Sequence, residues 1–561
     1  MKPFQKLVLF PLGLVLLLTV LLLTFQAHYL HEKRVLAVSE SSQGILNPYA
    51  FNNPSEAEKL LKKLDIYESV GDEEISGANY SRSVMRLKLN PQYCEQHREY
   101  FVNNPSFIFQ ERNFYTNNFN YSKFRNEVIP KIGKDVTQRT SKLAGNYVID
   151  LPFNVNIFWT WDLFFYYRQI GKQFSCLTQA SNHVPGHDSL YRKDLVGQAA
   201  FDYAKGYEGR PECFSFDRYF PKTWRLQDKE QCEEFFEEFL SERYEELKRE
   251  RRIVYFRKIG KDVHEGRGVF PVNEEEERKI KSWYKNGELC GQVKANFLIQ
   301  YNVHNLLLID NRKFHFRSYL LLASVNPMIA YYHDGYARLS LNRYNPNSND
   351  TSTFVTNIGV NLDNEDFKNW TEEEIQDYTY WSFERFAEYM YRIGATDDAN
   401  WLDNYLRPQF MKIKIHLLRM AMKGFVKKSS VYELYGMDFV MDENLNLWFI
   451  EANTMPLLNG FNNHSTELMN QMMIDTVEIV QGLIKSRVKR VILYINRILG
   501  RDKKAESVQN IEERREEFRG LTRNWFEKEF EPSEKNTFFK IVDENLEGKE
   551  RYFGLLEQQC L

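Results

Sequence analysis

The stretch from Val431 to Pro456, VYELYGMDFVMDENLNLWFIEANTMP, constrains this chain more than any other, because two apolar runs around a polar turn read as one β-hairpin. YGMDFVM alternates as a strand does, Asp442 to Asn446 supplies an Asp/Asn-rich turn, and LWFIEAN ends a second strand in polar residues. Pairing brings Asp438 toward Glu451 and Asn453, and those last two share a face because side chains two apart on a strand point the same way. Two carboxylates and an amide are hard oxygen donors, few enough that magnesium would complete its shell with water and phosphate oxygens. The constellation points to Mg2+ with a nucleotide; by spacing alone, an exposed hairpin with ordinary polar ends is the alternative.

The rest of the chain is long and apolar enough to surround such a site. It has 561 residues, 43% hydrophobic and 15% aromatic, enough for a large core and roughly three or four domain-sized units. A net charge of −3 gives no general attraction to nucleic acid, so any basic site is local. The six cysteines, Cys94, Cys176, Cys213, Cys232, Cys290 and Cys560, include no CxxC pair and read as buried free thiols. Five N-x-S/T sequons occur, at Asn79, Asn120, Asn349, Asn369 and Asn463, without fixing the compartment.

Residues 7–25, LVLFPLGLVLLLTVLLLTF, are uncharged and long enough for one bilayer-spanning helix. A cleaved signal peptide is the rival; the length of the run and the lack of a clean A-x-A favour an uncleaved single-pass anchor, with membrane as a partner. Lys2 and Lys6 precede the run while Lys33 and Arg34 follow it, so orientation stays open. Residues 38–56 read as a linker, 57–147 match no known module, 148–250 and 251–485 alternate short apolar strands with charged helices, and 486–561 read as a helical extension. That is an α+β chain with α/β-type alternation.

Several motifs occur in a fixed order: NHVPGHDSLYRKDL from Asn182, YFPKTW from Tyr219, YFRKIGKDVHEGRGVF from Tyr255, FLIQYNVHNLLLIDNRKFHFRSYLLL from Phe297, GYARLS from Gly335, FVTN from Phe354, and the hairpin. Together they resemble the tubulin-tyrosine ligase family of ATP-grasp enzymes over about residues 150–485, and ordered motifs are far more specific than any one of them. The resemblance implies an ATP-grasp-like ligase core using ATP and Mg2+. Asp438, Glu451 and Asn453 would bind the metal. Lys193, Lys258 and Lys313 would meet phosphates beneath a loop ending Gly266-Arg267-Gly268, with Lys261 competing for the part of Lys258. Gln300 and Val303 would flank the adenine, and Lys313, Arg317 and Arg338 would serve the phosphorylated carboxylate. The implied reaction adds an amino acid (Glu, Gly or Tyr) to a protein carboxylate through an acyl phosphate, in a monomer, on tubulin or another acidic protein.

Four positions depart from the family pattern. His315 stands for an aspartate in Lys-Phe-Asp-x-Arg, Tyr301 for the lysine after the hinge glutamine, Phe354 for the histidine of His-x-Thr-Asn, and Ile259 for a proline. These leave open a non-catalytic protein, tethered to membrane, that binds a nucleotide or microtubule. Residues 407–428 carry seven Lys or Arg and no Asp or Glu, which reads either as an acceptor patch or as the solvated side of a helix.

Overall fold

Four helices of this chain start at a side-chain cap, supplied by Asp228, Asn273, Thr371 and Ser382. The computed structural model describes residues 46–64, 87–89, 93–110, 113–116, 130, 134–135, 139–143, 146–150, 154–159, 179–216, 218–250, 253–259, 268–292, 297–345, 369–427, 431–454, 456, 458, 463–523 and 530–561. The N-terminal part contains α1 (Pro54–Leu64), β1 (Leu87–Leu89), α2 (Tyr93–Asn103), α3 (Ser106–Gln110), β2 (Asn113–Thr116), β3 (Lys134–Asp135), β4 (Arg139–Leu143), β5 (Asn146–Asp150), β6 (Ile157–Trp159) and β7 (Ala180–Asn182). Next come α4 (Asp188–Tyr191) and α5 (Lys193–Lys205).

A small lobe follows: β8 (Thr223–Arg225), α6 (Lys229–Phe239), α7 (Glu242–Glu250), β9 (Tyr255–Ile259), β10 (Val269–Pro271), α8 (Glu274–Lys285) and β11 (Phe297–Tyr301). Its sheet runs β10-β9-β11-β8, antiparallel throughout. Asp228 accepts from Gln231 N to cap α6, and Asn273 accepts from Glu276 N to cap α8, whose first turn holds four glutamates against the positive end of the helix dipole.

The large lobe is built on β12 (Arg312–Val325) and β13 (Met328–Arg343), followed by α9 (Glu372–Thr379), β14 (Tyr380–Ser382), α10 (Phe383–Arg392), α11 (Arg407–Ala421), β15 (Val431–Met441), β16 (Leu447–Asn453), α12 (Asn463–Asp502), α13 (Ile511–Arg523) and β17 (Phe539–Asp543). Its sheet runs β14-β13-β12-β15-β7-β6-β2-β3, with β16 added to β15 and β17 to β13. Strand alternation then makes three layers. Phe314, Phe316, Leu320 and Leu322 of β12 pack with Phe386 of α10 and with Phe410 and Leu417 of α11. Tyr319, Leu321 and Ala323 face the other way, against Met469, Met473 and Val477 of α12. Each fully buried Leu or Phe contributes roughly 1.5–3 kcal/mol, so the sheet is held from both sides and its uncovered end is free to carry charge.

The α+β mixture matches the sequence reading, while the membrane location and the free-thiol reading are corrected. Among the described residues no helix is long and apolar enough to cross a membrane, which overturns the single-pass membrane location; the run at 7–25 lies outside the described residues. At 40 residues α12 extends about 60 Å, but it carries Glu467, Asp475, Glu478, Lys485, Arg487 and other charges. The C-terminal extension is not wholly helical, since β17 pairs Ala330 with Val542 and Tyr332 with Phe539. The cysteines do not read out as free thiols: Cys213 bridges Cys560 and Cys232 bridges Cys290. Their separations of 347 and 58 residues explain why spacing gave no hint. The described part of the expected linker, residues 46–56, is mostly exposed but anchored at Phe51, which is buried, and at Asn52, whose N donates to Asn496 Oδ1 at 2.9 Å.

Candidate active site

The β15–β16 hairpin pairs Asp438 with Glu451 and Gly436 with Asn453. Its turn is organised by Asp442, whose carboxylate accepts from Asn444 N (3.0 Å), Asn446 N (2.9 Å), Asn446 Nδ2 (3.0 Å) and Trp448 Nε1 (3.0 Å). A bulge beside Asp438 keeps its partner Glu451 in register with it. Among the described residues no three His, Cys, Asp or Glu side chains are grouped to hold a metal. Two carboxylates with an amide suit a cation that shares its shell with phosphate oxygens.

On the neighbouring strand, β12 pairs Arg317 with Asp438. Arg317 grips that carboxylate at both ends, Nε to Oδ1 and Nη2 to Oδ2, each 2.7 Å. Burial works against the guanidinium charge, but Asp438 more than offsets it and raises the Arg317 pKa well above its ordinary value. Two glycines make room. A Cβ on Gly335 would lie 1.8 Å from the Arg317 carbonyl oxygen, and one on Gly436 would meet Pro456 at 2.8 Å and Arg317 Cδ at 3.6 Å.

Lys313, His315 and Arg317 alternate onto the face that α12 covers farther along at Tyr319, and Arg338 lies opposite His315 on β13. Arg338 also sits 5.2 Å from the Tyr380 ring. Burial followed by repulsion from Arg317, Arg338 and Lys313 lowers the His315 pKa far below the ordinary imidazole range, so this side chain is neutral at pH 7. Where the family pattern has an anion, this chain has an uncharged ring.

The small lobe completes the wall. Lys258, on β9 opposite Val269, has its pKa lowered to about 8 by burial, with Lys193 and Lys313 adding repulsion against the pull of Glu451. Lys313 is likewise lowered to about 8 by burial. Lys193, the first residue of α5, places Nζ 3.4 Å from Glu451 Oε2. Gly268 adopts φ +83° where β10 begins, a conformation glycine takes without strain; Gly266, Lys261 and the FVTN segment at 354–357 lie outside the described residues. Gln300 is buried in β11 and donates to Thr223 Oγ1 at 2.8 Å, and Val303 follows in the connection to β12. Tyr301 turns into the small-lobe core, its ring 4.9 Å from Tyr255 and its hydroxyl on Glu238.

One buried network escaped the sequence reading. His183 Nδ1 lies 3.2 Å from Glu433 Oε1, Val184 N donates to Glu433 Oε2 at 3.1 Å, and His187 Nδ1 lies 2.9 Å from the Tyr435 hydroxyl. Burial raises the Glu433 pKa and lowers that of His187. The network ties the loop before α4 to β15 and so fixes where Lys193 enters the cleft. Its signal was the NHVPGH motif, whose His183 (φ +76°) and Gly186 (φ +79°) need a special backbone.

Part of the basic segment at 407–428 turns inward, while Lys423 and Lys427 stay exposed. Arg407 is held by Asp334, Asp403 and Glu384. Lys414 is fully buried, donating to the Tyr319 carbonyl at 2.7 Å, and Arg419 donates to the Cys560 carbonyl at 2.7 Å. Helical spacing sends these long side chains inward as well as outward, which a charge count cannot resolve. Arg487, in the basic run KSRVKR from Lys485 on α12, is also buried.

A family model described as the tubulin-tyrosine ligase family matches residues 172–489. The chain is 27% identical over 323 residues to the human "Inactive polyglycylase TTLL10", covering 54% of this chain and 45% of that protein. It is 28% identical over 319 residues to the "Protein polyglycylase TTLL10" of Macaca fascicularis, covering 54% and 49%. Over 202 residues it is 30% identical to the human "Tubulin polyglutamylase TTLL5", covering 34% and 15%. The chain thus spans less than half the length of these relatives.

Proposed function

This chain belongs to the tubulin-tyrosine ligase family, and on that premise we propose that it is an ATP-dependent ligase joining an amino acid to a carboxylate of a protein. The observation that carries the reading is the meeting of an acidic strand end with a cationic wall: Asp438, Glu451 and Asn453 on one side, Lys193, Lys258 and Lys313 on the other. These residues fit Mg2+ and ATP. The donors are hard oxygens, and two lysines whose pKa burial lowers to about 8 would regain their charge beside a polyphosphate.

When bound, Mg-ATP would supply a phosphoryl group to the acceptor carboxylate with ADP as leaving group, and the amino acid's amine would attack the activated acyl carbon, losing a proton as phosphate departs. The protein's part is positioning and charge. Lys193, Lys258 and Lys313 hold phosphate oxygens, while Arg317 and Arg338 orient the acceptor carboxylate. Neutral His315 spaces those two arginines without cancelling their charge. Tubulin or another acidic protein is the acceptor, as the name of TTLL5 supports, and Glu, Gly or Tyr is the amino acid added.

A nucleotide- or microtubule-binding protein without ligase activity is the second reading. It is favoured by the loss of a carboxylate at His315 and by the name of the human TTLL10 relative. Thermal unfolding with and without Mg-ATP, beside Glu451→Gln, tests the site. Ligand at about a hundred times its Kd stabilises the native state by roughly 2.7 kcal/mol, and the variant is expected to lose that shift. No shift in the folded wild type removes the nucleotide from both readings. Ligation of labelled amino acids then separates the two.

A further inference from the structure

Two disulfides and one exposed sequon belong to the same chemical environment. The bridges join segments far apart in sequence: Cys213–Cys560 closes the C-terminal segment onto the loop after α5, and Cys232–Cys290 staples α6 to the end of the small lobe's helical layer. Cys213, Cys232 and Cys560 are 2%, 0% and 4% exposed and Cys290 is half-buried, so each bridge has at least one sulfur shielded from solvent. Glutathione and thioredoxin keep such thiols reduced in the cytosol, whereas secretory compartments form and keep the bridges.

Those compartments also modify Asn-x-Ser/Thr. Asn369-Trp370-Thr371 is exposed at all three residues, in the turn that leads into α9. Thr371 caps that helix from the surface, accepting from Glu374 N at 3.2 Å. Asn463 also begins a sequon, but its Ser465 is 2% exposed within α12. The other three sequons lie outside the described residues.

We propose that Asn369 is an N-glycan acceptor and that this chain matures in an oxidising compartment of the secretory pathway. In the glycosyl transfer, the Asn369 amide nitrogen attacks C1 of a sugar carried on a polyprenyl pyrophosphate. The N–C1 bond forms, the C1–O bond breaks, the amide loses one proton and the pyrophosphate carrier leaves. Each bridge forms as two thiols give two electrons and two protons to the disulfide of a dithiol oxidoreductase, which becomes the dithiol.

The inference stands whether or not the site turns over.

The test uses the full chain expressed in a eukaryotic cell, alkylated without reductant. Digestion with peptide-N-glycosidase in heavy-oxygen water is expected to convert Asn369 to labelled aspartate. Asn369→Gln should run one glycan step faster on a gel and unfold at an unchanged temperature. Cys213, Cys232, Cys290 and Cys560 should take up alkylating agent only after reduction. An unlabelled Asn369 peptide with unchanged mobility of the variant overturns the site. Alkylation of the four cysteines before reduction overturns the compartment. A failed ligation assay moves neither readout, so the two proposals fail separately.

Discussion

Arg317 holds Asp438 through two 2.7 Å bonds with both side chains largely withdrawn from water, so losing either partner strands a charge. Asp438→Asn is expected to cost roughly 3 kcal/mol in urea unfolding, the low end for a broken buried pair, and Arg317→Met with Asp438→Leu should recover most of it. The lysines give a pH signature. Lys258 and Lys313 titrate near 8 in the folded chain against 10.5 ordinarily. Between those values the unfolded chain holds more protons, so these groups make the ligand-free protein more stable as pH rises from about 8 toward 10.5. A polyphosphate reverses the preference by favouring the charged lysines. Nucleotide binding at pH 9 should therefore take up protons and at pH 7 nearly none, read by calorimetry in buffers of different ionisation heat. Asp438 opposite Glu451 was legible because strand periodicity is short-range. The grip of Arg317 on Asp438 was not, since it depends on how strands 121 residues apart are paired.

The hairpin is the element best read from sequence, because its turn chemistry is local. Asp442 accepts four hydrogen bonds there, and Asp442→Ala should destabilise by about 3 kcal/mol, with Asp438 and Glu451 losing their common register and Mg-ATP its thermal shift. The β12–β13 pair was harder. Its register slips between Arg317 and Tyr319, and Gly335 passes against the Arg317 carbonyl at that slip. Gly335→Ala is expected to cost about 1–3 kcal/mol by overpacking and to weaken acceptor use more than nucleotide binding, as separate KM measurements would reveal. A glycine in an apolar run gives no sign of which neighbour it must admit. Strand β17 was missed for a related reason: its pairing partner on β13 lies about two hundred residues upstream.

At the scale of the molecule, alternating strands and charged helices disclosed the α+β class, while the connections that close it are long-range. Cys213–Cys560, the β13–β17 pairing and the Arg419 bond to the Cys560 carbonyl act together as a clasp. Cys560→Ser should cost about 2–4 kcal/mol, measured by denaturant unfolding under non-reducing conditions, and reductant should lower the wild type toward the variant. The inward side of the basic segment at 407–428 was unreadable for the same reason: what Arg407, Lys414 and Arg419 meet is decided by Asp334, the β12 backbone and Cys560. The clasp also orders events during synthesis. A ribosome adding about 5–20 residues per second takes on the order of 20–70 s to cover the 347 positions between the two cysteines. Throughout that interval Cys213 is an unmated thiol, with Cys232 and Cys290 as wrong partners close at hand. One edge of β13 meanwhile waits for its strand. The nascent chain therefore closes this clasp well after its β15–β16 hairpin has been made.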